Sequence, residues 1–249
     1  MTRIRFDGCD LSPGRGTRFF EASIAAVDEA RYDGHAQWYE QDFLGRPGSG
    51  TDTREIVTRL LGHGSGRLLD VGCGTGVYAK SFTELGWSVT GVDVSEDMLR
   101  FARERKVDVV CADARSLPFD AGSFDAAVSL WTHTDVGDFS AVTREIARVL
   151  RPAGRFVYVG AHPCFVGPHA RFPFAQGVPE LHQGYGQIGP YDASAPGVSP
   201  EGLRARVGGV HVPLGGLMTA FLEAGFQLES FEEPFVREYP YMLALSLRT

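Results

Sequence analysis

The sequence predicts an α/β fold: a doubly wound, mostly parallel seven-stranded sheet with helices on both faces, its last strand antiparallel, plus an inserted lid or cap. Three observations predict it. Short apolar runs alternate with amphipathic stretches from Arg67 to Tyr158, and such alternation implies parallel strands joined by helical crossovers. Two strand-like runs close the chain, and the link between them is too short for a crossover helix, so they pair antiparallel. Between these parts, His162 to Gly209 is rich in proline and glycine and poor in periodicity. Such a stretch is unusual inside a compact domain and commonly functional.

Strands are expected at Leu68–Val71, Ser88–Val92, Val107–Cys111, Phe124–Leu130, Phe156–Val159, Gln227–Phe231 and Tyr241–Leu247. Helices are expected at Tyr78–Leu85, Ser95–Arg105, Phe139–Leu150 and Leu214–Ala224. Ser95 is an N-cap residue, followed by Glu96 and Asp97 where the helix dipole favours acids. Pro152 and Gly154 end the third helix, and Gly225 closes the fourth. Nearer the N-terminus, Ser12–Gly16 signals a loop and Phe19–Val27 has helical character. A helix from about Tyr32 to Phe43 places Tyr32, Ala36, Tyr39 and Phe43 on one face. Gly45–Gly50 breaks the chain, and Asp52 with Glu55 forms a capping-box pattern for a helix through Leu61.

The composition is that of a globular protein: 43% hydrophobic and 22% charged over 249 residues. No apolar run approaches the roughly 18 residues that span a bilayer. No apolar segment follows Arg3 and Arg5, so no signal peptide and no membrane partner are expected, and the location expected is cytoplasmic. The net charge of -7 repels a phosphate backbone, which argues against nucleic acid as a partner. Cys9, Cys73, Cys111 and Cys164 form no C-x-x-C pair, so reduced thiols and no metal site are expected. Nothing in the sequence sets an oligomeric state.

The sharpest motif is Asp70-Val71-Gly72-Cys73-Gly74-Thr75-Gly76, which follows a strand and opens a helix. Glycines there let the backbone turn tightly and let a ligand approach it. Asp93 ends the next strand, where an acid can accept both hydroxyls of a ribose. Asp113 ends the third, placed to accept a hydrogen bond from an exocyclic amine. The three acids converge where open α/β sheets bind ligands.

These residues resemble the class I S-adenosylmethionine-dependent methyltransferases with a Rossmann-like sheet, especially the ubiquinone/menaquinone-biosynthesis-like group. Leu117-Pro118-Phe119, Ser123-Phe124-Asp125 and Arg148–Gly154 look like the same family, with Ala153 standing where the family commonly has glycine. The resemblance covers roughly Tyr32 to Val159. It implies S-adenosyl-L-methionine as cofactor, S-adenosyl-L-homocysteine as product and a small-molecule acceptor. It implies that Asp70 and the loop Gly72, Cys73, Gly74 and Gly76 hold the methionine moiety, and that Asp93 binds the ribose. Val94 and Met98 would flank the adenine, and Asp113 and Ala114 would read its amine edge. Leu130, Trp131 and Thr132 would lie near the sulfonium. Tyr39 matches an N-terminal aromatic that closes over the cofactor, or is a plain core aromatic.

On this reading the single domain 1–249 divides into a helical segment 1–50, a cofactor-binding core 51–160, a substrate lid with short helices 161–209, and a sheet-completing end 210–249. His133 and His162 follow strands four and five, so each is a candidate base or a lining residue. Asp135 would orient His133 or cap the next helix. Phe165, Phe172, Phe174, Tyr185 and His211 are candidate acceptor contacts, or a small core that holds the lid together. Two other functions fit less of the sequence: a protein that binds S-adenosylmethionine without transferring methyl, and a nicotinamide-dependent oxidoreductase.

Overall fold

In a computed structural model, residues 30–44, 51–172, 178–236 and 238–249 are described. The expectations for Ser12–Gly16, Phe19–Val27, Gly45–Gly50 and Phe174 lie outside them. Seven strands form the main sheet: β1 (Arg67–Val71), β2 (Ser88–Asp93), β3 (Asp108–Cys111), β4 (Phe124–Leu130), β5 (Leu150–Ala161), β10 (Gln227–Glu232) and β13 (Met242–Arg248). Their order is β10-β13-β5-β4-β1-β2-β3. β1 to β5 run parallel, and β13 lies antiparallel to both β5 and β10. The fold class expected from the sequence is therefore the one observed.

Each strand feeds two cores because successive side chains point to opposite faces. Leu69, Ala127, Phe156, Tyr158 and Leu245 meet α5 (Phe139–Val149) and α7 (Leu214–Glu223) on one face. Leu68, Ala126, Val128, Val157 and Ala244 meet α2 (Thr51–Leu61) and Phe82 of α3 (Ala79–Glu84) on the other. A sheet covered on both sides in this way has its free polar edge at the strand ends.

The N-terminal helix is shorter than expected. α1 (Ala36–Trp38) runs into a π-helical turn, Tyr39–Phe43, and Tyr32 to His35 form turns before it. The turn is fixed from outside: Ser95 Oγ donates to Asp33 Oδ1 at 2.6 Å, and Gly34 N donates to Asp97 Oδ2 at 2.7 Å. The two outside partners, the donor Ser95 and the acceptor Asp97, stand at the start of α4 (Glu96–Glu104), which Ser95 caps through Met98 N as expected.

Among the described residues, the segment after β5 holds more strand than the short helices expected of it. It carries two small antiparallel pairs, β6 (Ala170–Arg171) with β7 (Glu180–Leu181) and β8 (Gly189–Tyr191) with β9 (Gly209–His211), and one helix, α6 (Leu203–Val207). A further short pair, β11 (Phe235–Val236) and β12 (Tyr239–Pro240), lies between the last two sheet strands.

β5 begins six residues before the expected start because Pro152-Ala153-Gly154 is an irregularity inside the strand and not a turn ahead of it. Ala153 has φ +60° there, a left-handed conformation that costs an L-residue about 1–2 kcal/mol. Glycine relieves that cost. Ala153→Gly is expected to stabilise the protein by about 1 kcal/mol, or about 2–4 °C in Tm. A melting curve that is unchanged or lowered would show that the strain is not there.

Candidate active site

The carboxyl ends of β1 to β4 open into a cleft with about 890 Å³ of empty space, part of it open to solvent. Gly72 and Gly74, Asp93 to Ser95, Met98, Ala112 to Arg115, Leu130 to Thr132 and Asp135 with Val136 wall it, and Arg31, Tyr32 and Tyr39 cover it. Every residue expected at the cofactor site lines this cleft except Asp70, Cys73 and Gly76.

Those three stand behind the loop. Gly76 has φ +71°, and a Cβ there would sit 3.1 Å from Ala102 Cβ, so this glycine lets the loop pack on α4. The Cys73 thiol turns toward β2: a Cβ on Gly91 would lie 2.7 Å from its Sγ. Burial, then Asp70, pushes that thiol far up, so Cys73 is a packing residue. Gly72 faces the cleft, and its missing side chain is what lets Thr132 approach: a Cβ there would lie 2.4 Å from Thr132 Oγ1.

Asp70 is 2% exposed. Burial first, then neighbouring Asp93, pushes its carboxyl up to about 7, and no hydrogen bond from the described residues opposes this. A buried acid without a donor is costly unless a ligand supplies one. Asp93 differs. Its Oδ2 accepts Gly74 N at 2.8 Å and its Oδ1 accepts Ser95 N at 2.9 Å. Burial still raises its pKa over the effect of those bonds. Asp113 is held by Arg115, whose Nη2 is 2.5 Å from Oδ2, and this pairing lowers the Asp113 pKa.

Tyr39 lies under the cover, its ring edge-on to Tyr32 at 5.6 Å and stacked on Phe43 at 5.2 Å. Trp131 has φ +64°, a rare conformation for a bulky residue. Its Nε1 donates to Thr53 Oγ1 at 3.3 Å and its ring meets Tyr241 at 5.8 Å.

The two candidate bases do not line the cleft. His133 is 3% exposed, and its Nδ1 is 2.7 Å from Tyr158 Oη. Burial, with Arg204 and His211 nearby, lowers its pKa to about 3, so this histidine is neutral at physiological pH and sits in the core. His162 is 1% exposed. Its Nδ1 accepts Cys164 N at 3.2 Å, which leaves the proton on Nε2 to donate to Glu233 Oε1 at 2.7 Å. Both nitrogens are used in fixing the end of β5. Following a strand's carboxyl end placed each histidine near the cleft, but its hydrogen bonds hold His133 on Tyr158 and His162 on Glu233 and Cys164.

The expected acceptor contacts are also off the cleft. Phe165 packs on His162 at 5.0 Å and Tyr239 at 5.8 Å. Tyr185 Oη accepts Leu214 N at 3.0 Å, and its carbonyl is 2.8 Å from His211 Nε2. Phe172 comes nearest, through Tyr241, which it meets at 5.4 Å and which in turn meets Trp131. These side chains hold the inserted segment together.

Sequence reasoning missed Arg204. It sits on α6 in the stretch with least periodicity, and nothing in its neighbours marks it. It pairs with Asp135, and its Nη2 donates to Thr134 Oγ1 at 2.7 Å. Asp135 thus neither orients His133 nor caps α5, a role that Asp138 fills by accepting Ala141 N at 3.0 Å.

Residues 69–158 match a methyltransferase domain family. The chain is 35% identical over 135 residues to a demethylmenaquinone methyltransferase of Tropheryma whipplei, a match covering 51% of this chain and 56% of that protein. Across the curated relatives it matches, the chain spans about half their length or less. Among solved structures it resembles an S-adenosylmethionine-dependent methyltransferase from Mesorhizobium loti, with TM-score 0.64 and 25% identity over 87% of this chain and 99% of that one. It also resembles the [4+2]-cyclase SpnF, with TM-score 0.58 and 21% identity over 81% and 82% of the two chains. The glycine loop, the acids at the ends of β1 and β2 and these matches agree: residues 69–158 match the methyltransferase domain family, and the fold is like that of S-adenosylmethionine-dependent methyltransferases.

Proposed function

We propose that the chain binds S-adenosylmethionine in this cleft and moves its methyl group to a small-molecule acceptor. The observation that carries the reading is Asp70, a buried acid without a hydrogen-bond donor among the described residues, set beside a glycine loop and a second strand-end acid. The residues fit the cofactor: a cationic amine satisfies Asp70, and a ribose diol takes the remaining lone pairs of Asp93. Val94 and Met98 flank the adenine, Asp113 and Ala114 meet its amine edge, and Leu130, Trp131 and Thr132 lie by the sulfur. Tyr39 and Tyr32 close over it.

When bound, the sulfonium supplies an electrophilic methyl and a neutral leaving group. The protein's part is to hold the nucleophile in line and exclude water, which can account for much of the barrier. With His133 and His162 engaged elsewhere, neither is assigned as base. Residues 161–209 form the acceptor-side cap, and an aromatic, quinone-type acceptor is in keeping with the relatives named above. We place the reaction in the cytoplasm, with no nucleic-acid partner.

Three measurements test this. S-adenosylhomocysteine at 100 times its Kd should stabilise the protein by about 2.7 kcal/mol. A thermal shift with NAD in its place would sink the proposal. Asp93→Ala should weaken S-adenosylhomocysteine binding at least tenfold in calorimetry. It should also lower stability by about 1–3 kcal/mol, because the Gly74 and Ser95 N–H groups lose their acceptor. Wild-type affinity in that variant would remove the ribose assignment.

The third concerns pH. The folded-state pKa of Asp70, about 7, lies above the unfolded value of about 3.9. Its contribution to stability is therefore complete below about pH 4 and is lost as pH rises through 7. Asp70→Asn should stabilise the empty protein relative to wild type by an amount that grows from pH 5 to pH 8. The same change should weaken S-adenosylhomocysteine and abolish the rise in its affinity between pH 6 and 8. A parallel pH dependence in both proteins would show that Asp70 does not meet the amine.

A further inference from the structure

This inference rests on the proposed cofactor site. The ribose and adenine ends of that site belong to β2 and β3. The order β4-β1-β2-β3 puts the end of β4 about 14 Å from the end of β3, at roughly 4.8 Å per strand. The methyl group is thus delivered at the end of β4. Among the described residues that line the cleft there, Asp135 is the carboxylate.

Its surroundings are uneven. Arg204 grips it on one side, with Nη1 on Oδ1 and Nη2 3.2 Å from Oδ2. That guanidinium is itself fixed by Thr134 Oγ1 and by the Gly208 carbonyl at 3.1 Å. On the other side stands Tyr32, whose hydroxyl is 3.5 and 3.4 Å from the two carboxylate oxygens. These are long for O–H···O⁻ bonds, which settle at about 2.5–2.7 Å. The carboxylate thus has one tight cationic partner and one slack neutral one, on the wall where the acceptor must stand.

We propose that Asp135 binds the acceptor's nucleophile, and that this nucleophile is an O–H or N–H group of an aromatic ring, which takes the place the Tyr32 hydroxyl holds loosely. The hydrogen bond aims a lone pair of the nucleophile at the methyl carbon. As the O–CH3 or N–CH3 bond forms, the CH3–S bond breaks and its electron pair stays on sulfur. The nucleophile becomes oxonium- or ammonium-like, and its proton passes to the Asp135 carboxylate and on to water. Charge balances: at transfer the sulfonium cation and the carboxylate anion both become neutral, and the carboxylic acid then gives its proton to water as hydronium, which restores the carboxylate. A carboxylate suffices as acceptor, because the proton leaves only once the new bond has made it strongly acidic. Arg204 is the positioning residue that keeps the carboxylate turned to the cleft.

The test uses the full chain saturated with S-adenosylhomocysteine, whose binding is measured first; its failure to bind would overturn the cofactor reading and not this one. Phenol, aniline, anisole and toluene are then titrated by ligand-observed NMR. Phenol and aniline are expected to bind at least tenfold more tightly than anisole and toluene. Asp135→Asn should reduce that preference to threefold or less, with S-adenosylhomocysteine affinity kept within twofold. Tyr32→Phe, which removes the competing hydroxyl and leaves the ion pair, should tighten phenol two- to fivefold. A purely structural network predicts no gain from that change. Equal binding of phenol and anisole in wild type, no phenol binding up to its solubility, a preference that survives Asp135→Asn, or no gain from Tyr32→Phe overturns the inference.

Discussion

The site depends on the two hydrogen bonds that Asp93 accepts. One ties the glycine loop, through Gly74 N, to the end of β2; the other, through Ser95 N, sets the start of α4. Ser95 then caps α4 and donates to Asp33, and Asp97 in the same first turn accepts from Gly34. A single carboxylate therefore fixes, in series, the loop under the ligand, the helix beside it and the cover above it. This is why an acid is needed at that strand end even before any ribose arrives.

The sheet was legible because its signal is local. A parallel strand covered on both faces is a short apolar run, and the runs at β1, β2 and β4 stand between polar turns. Strand ends carrying Asp70, Asp93 and Asp113 could be assigned for the same reason. The direction of a side chain beyond a strand end was not legible. His133 and Tyr158 meet because Gly160 leaves room: a Cβ there would lie 2.8 Å from His133 Nδ1 and 2.3 Å from Tyr158 Oη. Gly160 was the one available sign that His133 turns into the core. It reads as an ordinary strand glycine until the neighbouring strand is known. Arg204 gave no sign, since its partner is 69 residues away and its helix has only five residues. The left-handed Ala153 was visible only as a departure from a glycine, and its place inside β5 depended on pairing with β4.

Fold likeness alone does not decide the reaction, as the resemblance to a [4+2]-cyclase makes plain. The cofactor half of the cleft is built from backbone turns and strand-end acids that any protein holding the same ligand can share. The acceptor half joins the αL residue Trp131, within the matched residues 69–158, to parts that lie outside them: the turn at Tyr32 and α6 with Arg204. The difference between related reactions therefore has to reside there.

The two halves also carry opposite electrostatic designs. At the cofactor end, Asp70 and Asp93 are both buried: burial and then Asp93 raise the pKa of Asp70, and burial, with Asp135 adding to it, raises that of Asp93. That end is frustrated while empty, and a cation relieves it. At the acceptor end, Asp135 is already neutralised by Arg204, so the pair is internally balanced and has little long-range pull on a charged molecule. A cationic cofactor is thus drawn to the first end, and a neutral acceptor is tolerated at the second. On the proposed function, once the methyl group has moved the sulfonium charge is gone and only the amine would remain to satisfy Asp70. The field that favoured binding of the sulfonium then holds its neutral product less tightly, so the charge distribution that recruits the cofactor also favours its release after transfer.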